Sequence, residues 1–169
     1  MFKKFYPDEY VESAYSIDFK KYYNEGKRGV ILDVDNTLVE HGAPYNKKAV
    51  LFFENLRKEG FKFCIISNNH EPRIKPFAEG VNSPYIYDAG KPLKKGYIKA
   101  MEIMNIKKDE AMFIGDQIFT DILGANNAGV YSILVKYIKF DYEIQIILKR
   151  ILEKIVLFFY YFYRKRNEK

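Results

Sequence analysis

Four stretches of the chain are apolar without alternation: residues 30–34 (VILDV), 61–67 (FKFCIIS), 111–115 (AMFIG) and 130–135 (VYSILV). A strand with one face in water alternates apolar and polar side chains, whereas a strand covered on both faces reads as a continuous apolar run. These runs therefore predict parallel strands buried between layers of helices. The shorter YIY of residues 85–87 predicts an edge strand. Helical patterns fall between the runs, near residues 46–59, 71–79, 93–104 and 119–128, with Gly60 and Gly129 as C-terminal stops. This alternation predicts an α/β domain, a doubly wound, Rossmann-like sheet of about five parallel strands flanked by helices.

The boundaries follow from the same pattern. Residues 29–138 form the core, residues 1–28 an N-terminal extension packing on it, and residues 139–169 a C-terminal amphipathic helix. A length of 169 residues, 48% of them hydrophobic, suits one domain with a real core. The formal charge of +6 is unevenly placed: residues 30–135 hold 13 basic and 13 acidic residues, whereas residues 136–169 hold nine and four. A nucleic-acid reader carries its basic groups across the folded face that does the reading, so this distribution argues against nucleic acid as a partner. The single cysteine, Cys64, lies in an apolar run, which excludes an internal disulfide and reads as a buried, inert thiol in a reducing compartment. The first 16 residues contain no apolar run of signal-peptide length.

In doubly wound sheets ligands bind beyond the carboxyl ends of the strands. Polar residues stand at each such end here: Asp33 and Asp35 after the first strand, Ser67 after the second, Lys91 after the edge strand and Asp116 after the fourth. Unpaired carboxylates crowded into a poorly hydrated place repel each other, so Asp33 and Asp35 need a partner. A hard cation supplies one: Mg²⁺ takes a few carboxylate or carbonyl oxygens and keeps several waters. Lys91, Ser67 and Thr37 add the positive charge and hydroxyl donors that a phosphoryl group requires. A carboxylate can itself act as nucleophile toward phosphorus, with a second acid moving the protons.

DVDNT (33–37), SNN (67–69), KP (91–92) and GDQIFTD (115–121) resemble, in order, the four motifs of the haloacid dehalogenase superfamily of phosphatases. The resemblance spans about residues 28–136. It implies that Asp33 is the nucleophile and an Mg²⁺ ligand. It implies that Asp35 is the general acid and base and a ligand through its backbone carbonyl, that Asp116 completes the metal ligands and that Asp121 supports them. Thr37, Ser67, Asn68 and Lys91 are then the phosphate-binding residues, Lys91 also offsetting developing charge. His41 and His70 match none of the motifs and read as surface residues, His70 with a substrate contact open to it.

Members of this superfamily that act on small metabolites carry a cap domain. Only 34 positions separate Asp33 from Ser67 and 24 separate Ser67 from Lys91, which the assigned elements use up, so no cap domain is expected and the site should be open. The segment beyond residue 140 places Ile144, Leu148, Ile151, Ile155, Phe159 and Phe162 on one helical face with Lys149, Arg150 and Glu153 opposite. Its run IVLFFYYFY at 155–163 ends in Arg164, Lys165 and Arg166 and is too short to span a bilayer, which takes about 20 residues. An in-plane helix on an anionic membrane surface fits this pattern, and docking onto the sheet or a subunit interface is the alternative. The N-terminal FYPDEYVESAYSID and the forms of motifs one and four are similar to the YqeG-type branch of subclass IIIA, itself similar to phosphatidylglycerophosphate phosphatases. The resemblance implies a cytoplasmic, peripheral membrane phosphatase that acts on a phospholipid headgroup, converting phosphatidylglycerophosphate to phosphatidylglycerol. A soluble phosphatase of a nucleotide, sugar phosphate or phosphoprotein is the alternative, and a non-catalytic partner-binding module the alternative from another class.

Overall fold

The computed structural model describes residues 2–140 and 144–167. Six strands, β1 (Glu9–Val11), β2 (Gly29–Leu32), β3 (Lys62–Ile66), β4 (Tyr85–Ile86), β5 (Ala111–Gly115) and β6 (Tyr131–Val135), form one parallel sheet in the order β1-β6-β5-β2-β3-β4. β1 lies outside the apolar runs. It is half-buried and short, and polar groups hold it in place: Asp8 accepts from Ser132 N at 2.7 Å, and the Tyr22 hydroxyl donates to Glu9.

Successive side chains of a strand point to opposite faces, and both faces of this sheet are covered. Leu32, Ile65, Ile114 and Ile133 stand in register and face one layer. That layer holds Tyr22 of α1 (Phe19–Asn24), Phe53 and Leu56 of α2 (Lys47–Lys58), and Ile74 and Phe77 of α3 (Glu71–Gly80). Ile31, Cys64 and Phe113 face the other layer, with Tyr97 and Ala100 of α4 (Lys95–Met104) and Ala125 of α5 (Leu123–Ala128). Each fully buried Leu, Ile or Phe among them contributes about 1.5–3 kcal/mol. Burial in this second layer pushes the Cys64 thiol pKa up to about 12, which leaves it protonated and unreactive.

The helix ends follow local chemistry. The Asn46 side chain accepts from Ala49 N at 2.9 Å and starts α2. Gly129, at φ 71°, takes the left-handed conformation that ends α5 and turns the chain into β6. Just before α5, residues Ile118–Ile122 form a π-helical turn where the sequence pattern predicts ordinary helix.

α6 (Ile144–Asn167) is the helix expected at the C-terminus, and its apolar stripe and opposing charges occupy the faces that the periodicity predicts. It is the charged face that meets the protein. Arg150 and Glu153 are 5% and 6% exposed and pack against the core with Val156 and Tyr160, whereas Ile144 and Phe162 of the stripe are 75% and 61% exposed. Val156 joins Ile118, Ile122 and Leu134 in a third apolar cluster that includes Phe5, Tyr6 and Tyr10 from the N-terminal segment. Tyr6 also packs against Tyr160 and Tyr163, with ring centroids 5.6 and 5.3 Å apart. The helix therefore docks, and it docks with its apolar side outward.

Candidate active site

The sheet order reverses at β2, which has β5 on one side and β3 on the other. Chains leaving such neighbouring strands diverge and open a crevice at their carboxyl ends. A cleft of about 450 Å³ lies there, lined by Asp33, Asp35, Ser67, Asn68 and Lys91 from the strand ends, with His41, Gln117 and Thr120 beside them. Gln145, Ile146 and Lys149 of α6 form a further wall.

Asp33 follows β2 directly, and its backbone N–H donates to Ile114 O at 3.0 Å, which fixes it in the sheet. Lys91 Nζ donates to Asp33 Oδ1 at 2.6 Å and to Asp121 Oδ1 at 2.7 Å. The Thr37 hydroxyl reaches both Asp33 Oδ2, at 3.1 Å, and Asp116 Oδ1, at 3.2 Å. Thr37 is buried and does not line the cleft. Asp121 Oδ2 accepts from the backbone N–H groups of Asp116 and Gln117, at 3.2 and 3.0 Å. The π-helical turn brings Asp121 back over the strand end, and Gly115 leaves it room.

Burial pushes the pKa of Asp33 up to about 6, against the lowering pull of Lys91. Burial likewise raises Asp116, which Arg150 opposes. Burial disfavours the charge on Lys91, but Asp121 and Asp33 overcome it and hold the ammonium above its ordinary range. For both acids burial is the largest cause, and the neighbouring Asp121 adds to it.

Asp33, Asp116 and Asp121 each offer a carboxylate oxygen within 4.8 Å of the others. Among the described residues, and with every acid ionised, the carboxylates Asp33, Asp35, Asp116, Asp121 and Glu153 outnumber their cationic partners Arg73, Lys91 and Arg150 by two. An all-oxygen donor set with two uncompensated negative charges fits a hard divalent cation.

The Asp35 carboxylate stands apart from this triad. It accepts from Arg73 Nη2 at 2.6 Å, Asn69 Nδ2 at 2.8 Å and Gly42 N at 2.8 Å. Ser67 Oγ accepts from Asn69 N at 3.1 Å. Asn68 pairs with the Lys91 backbone in both directions, its Oδ1 accepting at 2.7 Å and its Nδ2 donating at 2.9 Å, so its side chain braces the loop that carries Lys91. His41 borders the cleft, whereas His70 precedes α3 and pairs with Asp88 at 2.8 Å on the surface.

Sequence reasoning missed Arg73, Asn69, Arg150 and Glu153 as members of this network. Arg73 and Asn69 hold Asp35, and Arg150 of α6 holds Asp116 through both its side chain and its backbone carbonyl, the latter at 2.7 Å. The signal for Arg150 was an Arg and a Glu three apart on the charged face of the helix, beside Lys149, a pattern that also suits a solvated face.

A family profile of haloacid dehalogenase-like hydrolases matches residues 46–129. The chain is 42% identical over 137 residues to the probable phosphatase YqeG of Bacillus subtilis, covering 80% of each protein. It is 31% identical over 94 residues to the glyceraldehyde 3-phosphate phosphatase of Pyrococcus furiosus, covering 50% of this chain and 39% of that protein. In fold it is similar to the cobalt-bound deoxy-D-mannose-octulosonate 8-phosphate phosphatase YrbI of Haemophilus influenzae. The TM-score is 0.53 at 13% identity, over 67% of this chain and 80% of that one. The strand-end acids, the parallel sheet and these likenesses agree, and the chain belongs to the haloacid dehalogenase-like hydrolase family, as one of its phosphatases.

Proposed function

We propose that the chain hydrolyses a phosphomonoester through an aspartyl-phosphate on Asp33, with Mg²⁺ at the acidic cluster, and that its substrate is phosphatidylglycerophosphate at an anionic membrane surface. The observation that carries the chemistry is the Asp33 carboxylate, fixed at the end of the central strand, open to the cleft and bonded to a buried lysine.

In this reading a carboxylate oxygen of Asp33 attacks phosphorus and the bond from phosphorus to the glycerol oxygen breaks. Asp35 gives its proton to the departing alkoxide. It then takes a proton from the water that attacks the phospho-aspartate, which releases phosphate and restores Asp33. Ser67, the Asn68 segment and Lys91 hold the phosphoryl oxygens, while Thr37 fixes Asp33 and Asp116. The ligands for the ion are the side chains of Asp33 and Asp116 and the backbone carbonyl of Asp35, supported by Asp121. When bound, Mg²⁺ would supply positive charge against the phosphoryl oxygens and the crowded carboxylates.

The lipid is supported by α6. Its N-terminal half walls the cleft, and its outer face exposes Ile144, Leu148, Ile151, Leu152, Ile155, Phe158 and Phe162. Exposed Lys154, Arg164, Lys165 and Arg166 lie along the same helix. No helix among the described residues is long and apolar enough to cross a membrane. An amphipathic helix with basic residues beside aromatics lies in the plane of an anionic bilayer, and this one would bring the cleft to the headgroups. The chain would then act as a peripheral protein on the cytoplasmic face.

The test is phosphate release from phosphatidylglycerophosphate in mixed micelles with Mg²⁺, beside p-nitrophenyl phosphate and glyceraldehyde 3-phosphate, with Asp33→Asn as the blank. The lipid should be strongly preferred and the blank inactive. Turnover confined to soluble esters would remove the lipid and leave a soluble sugar-phosphate phosphatase. The 31% identity to the Pyrococcus enzyme is the observation that favours that second reading.

A further inference from the structure

Asp116 is held at both ends of its carboxylate. Thr37 Oγ1 lies 3.2 Å from Oδ1, on the side of Asp33, while Oδ2 is bound by Arg150 Nη2 from α6, 34 positions away in sequence. Arg150 is itself immobilised. Its Nη1 donates to Asp116 O at 2.7 Å and to Glu153 Oε2 at 3.0 Å, and its guanidinium lies over the Tyr137 ring, 4.6 Å from the centroid. Glu153 in turn accepts from Ile118 N at 2.6 Å, at the start of the turn that carries Asp121. One helix thus grips the strand end behind two members of the acidic triad.

A carboxylate that gives one oxygen to a cation must be kept from rotating, and the group that holds the other oxygen does this. Loss of such a partner weakens metal binding by about 10- to 100-fold in metalloproteins generally. A guanidinium suits the task because its planar fork reaches the side chain and the backbone carbonyl of one residue together.

We propose that Arg150 is a positioning residue that turns Asp116 Oδ1 toward the triad, so that docking of α6 and binding of a divalent cation are thermodynamically linked. The proposal rests on reading the triad as a metal site. It goes beyond that reading by making a C-terminal helix, outside the four motifs, part of the metal machinery.

The experiment is titration of the full-length protein with Mg²⁺ by calorimetry, together with hydrogen exchange of the α6 amides with and without Mg²⁺. Arg150→Met should weaken Mg²⁺ about 10- to 100-fold, and Arg150→Lys should recover part of the loss. Val156→Ala, which trims the docked face but leaves the helix docked and Asp116 untouched, should lower the melting temperature and leave Mg²⁺ affinity unchanged. A merely structural Arg150 would behave as Val156 does.

Linkage is reciprocal, so Mg²⁺ should slow exchange in α6 of the unaltered protein by the factor that docking adds to affinity. This measurement needs no variant and stands even if Arg150→Met fails to fold. Mg²⁺ bound by Arg150→Met as tightly as by the unaltered protein, or more tightly, would overturn the proposal, as would exchange in α6 that ignores Mg²⁺. An unaltered protein that binds no Mg²⁺ would remove the metal site as well, which separates the two failures.

Discussion

Gly115 shows how little room the acids have. A Cβ there would meet Asp121 Oδ2 at 2.6 Å and Phe113 at 2.7 Å. Neither neighbour can yield freely, because Asp121 is tied to Lys91 and to two backbone N–H groups and Phe113 lies inside the sheet. Gly115→Ala should therefore cost about 1–3 kcal/mol of stability. It should also lower turnover of a soluble ester by about 100-fold, the scale of a 1 Å misplacement at a reacting centre. Thermal melts and steady-state rates on the same preparation check both. At this scale the sequence was most legible. Asp33, Asp35, Ser67, Lys91 and Asp116 stand at strand ends, and the sheet gathers all strand ends to one edge. Arg73, Asn69 and Arg150 were not legible, because each reaches the acids from a loop or helix face whose direction only the tertiary packing decides. Thr37 was named as a phosphate-binding residue, and the contacts of its hydroxyl with Asp33 and Asp116 are ones that sequence spacing does not report.

Among the elements, α6 departs furthest from ordinary amphipathic logic. A helix on a soluble core turns its apolar stripe inward, and this one turns inward an Arg–Glu pair with Val156 and Tyr160. Periodicity finds the two faces of a helix and says nothing about which face meets the protein, since the choice depends on what the core offers. Here the core offers the Asp116 carboxylate and the Ile118 N–H. Truncation of α6 would leave both groups unmatched and could not isolate a membrane role. Surface substitution can: Phe158→Ser with Phe162→Ser removes apolar area that is already exposed, so stability should change by no more than about 0.5 kcal/mol. Co-sedimentation with anionic vesicles should fall sharply while p-nitrophenyl phosphate turnover stays the same. Undiminished vesicle binding would mean that another surface meets the lipid, or that none does. β1 was illegible for a different reason: three half-buried residues carry no apolar run, and the edge is held by Asp8 and Ser132.

At the scale of the whole molecule, the fold and the site are one construction. Parallel strands, recognised by their unalternating apolar runs, deliver four acids and a lysine to a single edge. Helices cover both faces of the sheet, and burial at its edge raises the pKa of Asp33 and Asp116. The central claim is that Asp33 carries the phosphoryl group, and the direct measurement is to trap it. Radiolabelled p-nitrophenyl phosphate and Mg²⁺ would be mixed with Asp35→Asn protein, quenched in acid and digested, and the labelled peptide identified and tested with hydroxylamine. This ester has a leaving group that needs no proton from Asp35, so the first step should proceed while attack of water on the intermediate slows. The account predicts hydroxylamine-sensitive label on the peptide containing Asp33, and none when Asp33→Asn is added. Label on another residue, or turnover that survives Asp33→Asn, would contradict it.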